Sequence, residues 1–72
     1  MSAAVEFKKP PPGIARTKLV LLRRAMKGQF DKRVQPPDEK LWRRYWFDDA
    51  RVAADFGRML RAAGIRTRDP AL

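Results

Sequence analysis

Side chains that could perform catalysis are scarce in this chain of 72 residues. It contains no His and no Cys, which removes the commonest general base, the thiolate nucleophile and the usual zinc ligands. Hydroxyl groups occur at Ser2, Thr17, Tyr45 and Thr67, and no histidine is present to activate them. The glycines lie singly, so no phosphate-cradling loop is formed. We therefore expect no enzymatic activity, no cofactor and no small-molecule substrate.

Three aspartates, Asp48, Asp49 and Asp55, come nearest to a metal-binding group. On a helix they would not converge on one ion, and arginines three and four residues away can neutralise them. We expect these carboxylates to form salt bridges, and we predict no metal site.

The basic residues are numerous and unevenly placed. The chain has 17 Lys and Arg against 8 Asp and Glu, a formal charge of +9. Most of this excess precedes Val34, and no acidic residue lies between Phe7 and Phe30. Such a segment repels itself, so it either faces a polyanion such as RNA or is a solvated basic surface. The nucleic-acid-binding residues that we predict are Lys8, Lys9, Arg16, Arg23, Arg24, Lys27, Lys32, Arg33 and Arg43.

Aromatic residues are concentrated between positions 41 and 47, which read LWRRYWF. At helical spacing most of them share one apolar stripe with residues further along the chain, which predicts a surface for a protein partner. Its members are Leu41, Trp42, Tyr45, Trp46, Phe56, Met59 and Leu60. Phe47 falls on the opposite side, where we expect it to be exposed and able to seat a second partner or stack on an unpaired base.

Helical periodicity accounts for most of the remaining pattern. Apolar residues recur at helical spacing over 14–27, and Gly28 follows as a suitable helix terminator. A second helix is predicted over 38–63, because Pro36 and Pro37 favour a helix start and the apolar phase continues. A break at Asp48-Asp49, with one aspartate capping a new helix, is the competing interpretation.

The expected architecture is all-α: an extended Pro-rich arm at 1–13, a two-helix hairpin within 14–64 and a basic tail at 65–72. The shorter first helix cannot cover the whole stripe of the second, so apolar residues such as Phe56, Met59 and Leu60 would stay exposed. The hairpin is therefore not expected to be an independent globular domain. No apolar run approaches the roughly 20 residues that span a bilayer, and no secretory signal is expected.

The central segment resembles the mitochondrion-specific small-subunit ribosomal protein family numbered thirty-three. The resemblance rests on the Pro-Pro-Gly at 11–13, Arg16, the Leu-Arg-Arg-Ala-Met-Lys-Gly run at 22–28, the prolines at 36–37 and the Leu-Arg-Ala-Ala-Gly-Ile run at 60–65. It implies a structural subunit that contacts rRNA and adjacent ribosomal proteins. The basic, acid-poor N-terminal segment is also typical of a mitochondrial matrix address.

An alternative follows from Leu21-Leu22-Arg23 with Phe30, which is similar to the Leu-Tyr-Arg family of mitochondrial accessory and assembly subunits, with Leu22 in place of the tyrosine. The chain would then belong to a respiratory-chain complex, with its cations facing acidic protein or anionic lipid headgroups. Both hypotheses place the protein in mitochondria, in the matrix or on the matrix side of the inner membrane.

Overall fold

A computed structural model describes residues 3–31, 38 and 40–68. Within these residues the chain forms a four-stranded antiparallel sheet and two helices, an α+β fold. The elements in chain order are β1 (Ala3–Lys8), α1 (Ile14–Ala25), β2 (Phe30–Asp31), β3 (Trp42–Phe47), α2 (Ala50–Ala62) and β4 (Thr67–Arg68). The strand order β2-β3-β1-β4 separates β1 from β2 by β3, which is the split β-α-β arrangement.

Both helices pack on the same face of the sheet. In β1 the side chains of Ala3, Val5 and Phe7 point towards the helices, while Ala4, Glu6 and Lys8 point to the opposite face. α2 buries Ala53, Phe56, Gly57 and Leu60, which recur at intervals of three and four residues. α1 buries Leu19 and packs Ala15, Leu22 and Met26 against the same core.

Aromatic rings form the centre of this core. Tyr45 stacks on Phe30 with ring centroids 4.4 Å apart and meets the edge of Phe7 at 5.2 Å. Phe56 of α2 lies 5.3 Å from Phe47 and 5.8 Å from Tyr45. Each such pair contributes about 0.5–1.5 kcal/mol beyond the burial of its area. The sheet and the helices are therefore held together by one continuous aromatic cluster.

The prediction of an all-α protein with an extended arm and a helix over 38–63 is wrong, whereas the helix predicted over 14–27 is present as α1 (Ile14–Ala25). The segment assigned to the arm contains β1, which pairs with both β3 and β4 in the sheet. The first half of the predicted second helix is β3, and only its second half is helical, as α2. Asp48 and Asp49 separate the end of β3 from the start of α2. Asp49 caps α2 by accepting a hydrogen bond from the backbone N–H of Arg51 at 2.8 Å.

The expected exposed stripe and the expected lack of a globular core are also wrong. Phe56 and Leu60 have no exposed surface, and Phe47, expected in solvent, is 1% exposed. β1 and β3 supply the cover that a second helix alone could not provide. The described residues therefore bury a core of their own without a partner.

Candidate nucleic-acid interface

Several of the predicted nucleic-acid-binding residues meet around one pocket of about 290 Å³. We call it the cationic pocket. Among the described residues its walls carry the cations of Lys9, Arg16, Arg23 and Arg43, and no acidic side chain lines it. Its remaining lining residues are Phe7, Leu19, Val20 and Tyr45. The pocket is thus a positively charged recess with an apolar floor.

Three elements position these cations. Arg16 and Arg23 are seven residues apart, two turns of α1, so they project from the same side of the helix. Arg43 lies on the helix-facing side of β3, two residues before Tyr45. Lys9 follows β1 directly, and its backbone N–H donates to the Leu41 carbonyl at 2.8 Å, which fixes the chain at the pocket's edge.

The guanidinium of Arg16 is held in place by the loop between β1 and α1. Its Nε and Nη2 donate to the Pro10 carbonyl at 3.1 and 2.8 Å. The proline-rich stretch lacks backbone donors but keeps its carbonyl oxygens, so it can accept hydrogen bonds from this arginine. Arg16 therefore lines the pocket with less conformational freedom than an unrestrained surface arginine has.

Tyr45 lines the pocket together with the cations, and its phenol interacts electrostatically with Arg23 and Arg43. Burial raises the pKa of Tyr45 above its ordinary value, and the nearby Arg23 and Arg43 lower it by less. The phenol therefore stays protonated at neutral pH. A neutral phenol adds no negative charge to the lining of the pocket, and an anion bound there would lie close to its basic side chains.

The other predicted nucleic-acid-binding residues lie elsewhere. Arg24 and Lys27 are exposed on or just after α1, and Lys8 is exposed at the end of β1, but none of them lines the cationic pocket. Lys32 and Arg33 lie outside the described residues. Arg24 and Lys8 are the sequence neighbours of pocket residues and carry the same charges.

The residues predicted to contact a protein partner are separated by the fold. Tyr45, Phe56 and Leu60 belong to the core, and Leu41 is exposed. Met59 borders a groove of about 420 Å³ between α1 and α2. Trp42 and Trp46 are partly buried on the face of the sheet opposite the helices. Successive side chains of β3 point to opposite faces of the sheet, so residues that a helix would have placed on one stripe lie on different faces.

Sequence reasoning missed the ionic network on that opposite face. Glu6 is fully buried and accepts from Arg44 Nε at 3.1 Å and from Arg68 Nε at 2.6 Å. Arg68 also donates to both carboxylate oxygens of Asp38, at 2.9 and 3.3 Å, and its guanidinium lies 3.9 Å from the centroid of the Trp42 ring. These residues are up to 62 positions apart in sequence, so no local pattern could have paired them.

The described residues contain neither a candidate metal site nor a helix that could cross a membrane. No group of three or more His, Cys, Asp or Glu within them could hold a metal ion. None of their helices combines the length and the apolar character that crossing a bilayer requires. What the cationic pocket offers chemically is the binding of an anion.

Comparisons of the chain with family models, with curated proteins and with solved structures gave no match.

Proposed function

We propose that this chain is a non-catalytic RNA-binding protein, a structural component of a ribonucleoprotein, and that it holds RNA phosphates in the cationic pocket. The observation that carries the proposal is the meeting of Lys9, Arg16, Arg23 and Arg43 around one recess without an acidic lining residue among those described. These residues come from three parts of the chain, so helix amphipathicity alone does not bring them together.

RNA phosphate is favoured over other anions by the kind of cation present. Arginine presents a planar fork that donates to two phosphate oxygens at once, and the pocket contains three arginines among its described lining residues. RNA also releases condensed counterions when its phosphates are neutralised, which favours binding to a clustered positive charge. The acid-free sequence from Phe7 to Phe30 supplies most of that charge.

A mitochondrial ribosomal subunit is the particle that we propose for the protein. The sequence resemblance supports it, because the matched run at 22–28 includes the pocket residue Arg23 and the matched element at 11–16 includes Arg16. The pocket itself points only to binding of an RNA backbone, so the choice of particle depends on the resemblance.

The direct test is fluorescence anisotropy of a labelled single-stranded RNA with the purified chain. Arg23→Gln is expected to weaken binding about tenfold, the loss of one charge-assisted contact. Arg24→Gln, the same change at the adjacent exposed position, is expected to weaken it about twofold, through net charge alone. Equal affinities for the two variants would contradict the assignment of the pocket.

A second test asks whether the protein sediments with a ribosomal subunit. After sedimentation of a mitochondrial extract, we expect the chain to migrate with a ribosomal subunit and to leave that fraction after RNase treatment. Migration with a detergent-solubilised respiratory complex, unchanged by RNase, would contradict the proposal and favour an accessory subunit of that complex.

A further inference from the structure

We infer that the cationic pocket is the receptor for a terminal phosphate monoester of an RNA strand, its 5′-phosphate. This inference rests on the proposed function and narrows it to one chemical group. Four basic residues line a single recess, whereas an internal tract of RNA carries one charge on each nucleotide and is best matched by cations spaced along a groove. Basic residues gathered around one recess instead match one group that carries more than one charge.

A terminal phosphate monoester is such a group. It carries a charge of about −1.5 to −2 at neutral pH, compared with −1 for an internal diester, and it presents three acceptor oxygens. Lys9, Arg16, Arg23 and Arg43, which line the recess and come from three parts of the chain, could donate to these oxygens. Arg16 is already oriented by the Pro10 carbonyl, so less conformational freedom is lost when the phosphate binds.

The walls of the pocket also favour a chain end. β1 contributes Phe7, α1 contributes Leu19 and Val20, and β3 contributes Tyr45, so the recess is bounded on several sides. A terminal phosphate has one substituent and can enter such a recess, whereas a diester has chain on both sides of the phosphorus. Its apolar lining residues lower the local dielectric constant, which strengthens the attraction between a phosphate and the cations.

The test compares two RNAs of the same sequence, both labelled at the 3′ end, one with a 5′-phosphate and one with a 5′-hydroxyl. We expect the full chain to bind the 5′-phosphate strand about tenfold more tightly, since the extra charge adds a charge-assisted contact. Lys9→Gln should reduce this preference severalfold. Lys8→Gln, the same change one residue earlier and outside the pocket, should leave the preference unchanged.

The pH dependence of the preference is a further prediction. The second ionisation of a phosphate monoester has a pKa of about 6, so at about pH 5 the monoester carries close to one negative charge. The ratio of the affinities for the 5′-phosphate and 5′-hydroxyl strands should therefore be smaller at pH 5 than at pH 7. The groups that face the monoester are Lys9 from the loop after β1, Arg16 and Arg23 from α1, and Arg43 and Tyr45 from β3.

The outcomes separate this inference from the proposed function. Equal affinity for the two strands would overturn the inference and leave RNA binding intact. A preference that Lys8→Gln and Lys9→Gln reduce equally would also overturn it, because the phosphate would then not sit in the pocket. Binding to vesicles that contain phosphatidic acid, with no binding to either RNA, would overturn both the inference and the proposed function.

Discussion

Glu6 is the residue on which the face of the sheet opposite the helices depends. It is fully buried, and Arg44, which pairs with it across β1 and β3, is 4% exposed. A buried carboxylate is tolerated only where opposite charges and hydrogen bonds replace its hydration, and Arg44 and Arg68 supply both. Removing Glu6 would take the carboxylate away from Arg44, which is buried, and from Arg68, which is partly exposed.

We expect Glu6→Gln to lower the free energy of unfolding by about 3 kcal/mol, since breaking a buried ion pair from one side costs roughly 3–5 kcal/mol and Arg68 remains partly solvated. Asp55→Asn is the matched control. Its pair with Arg58 is exposed on α2, where an ion pair contributes about 0–1 kcal/mol. Urea denaturation measures both changes, and a Glu6→Gln variant as stable as the control would refute the role given to the network.

Asp38 makes part of this network sensitive to pH. Hydrogen bonds from Arg68 lower the pKa of the Asp38 carboxyl below its ordinary value. A carboxyl with a lowered folded-state pKa stabilises the fold above its unfolded pKa of about 4, and that contribution is lost as the pH falls further. Wild type should therefore be more stable than Asp38→Asn at neutral pH, and the difference should shrink below about pH 4. If the unfolding midpoints of wild type and Asp38→Asn differ by the same amount at every pH, the pairing of the Asp38 carboxylate with Arg68 does not stabilise the fold.

At the scale of the elements, helical periodicity identified where α1 begins but misassigned β3, and the Pro-rich composition of 1–13 led to the assignment of β1 to an extended arm. β1 carries the strict alternation of a half-buried strand, with Val5 and Phe7 on one face and Glu6 and Lys8 on the other, and this signal was available in the sequence. β3 offers no such alternation. Both of its faces carry arginine and aromatic side chains, because one face covers Glu6 while the other builds the core and the cationic pocket.

The start of α2 is marked by Asp49, whose carboxylate caps the helix. Asp49→Ala should lower the free energy of unfolding by about 1 kcal/mol, because it removes the acceptor for one of the unpaired N–H groups of the first helical turn. Asp48→Ala, at the exposed neighbouring position, is the control and should change stability by less than about 0.5 kcal/mol. If Asp49→Ala and Asp48→Ala unfold at the same urea concentration, the cap contributes nothing to the stability of the fold.

At the scale of the whole molecule, the candidate site was only partly accessible from sequence. Charge counting identified Arg23 and Arg43 as candidates, but it could not distinguish Arg23 from Arg24, or Lys9 from Lys8. That distinction depends on which residues the packing of α1 against β1 and β3 turns towards the pocket. Tyr45 was assigned to a partner surface and instead lines the pocket and fills the core, since tertiary pairing decides on which face of a strand a residue lies.

The same distribution of charge should make salt act oppositely on folding and on RNA binding. With a net charge of +9, the folded chain repels itself, and added salt screens this repulsion, so the thermal midpoint should rise with ionic strength. Affinity for single-stranded RNA should fall, with a slope of log K against log salt of about −0.7 for each phosphate neutralised. Because the described residues enclose their own core, the thermal transition should be cooperative and independent of protein concentration. Circular dichroism and anisotropy across one salt series measure both quantities. An affinity insensitive to salt would show that RNA is not held by these cations, and a gradual melt without a transition would show that the core does not close in the isolated chain.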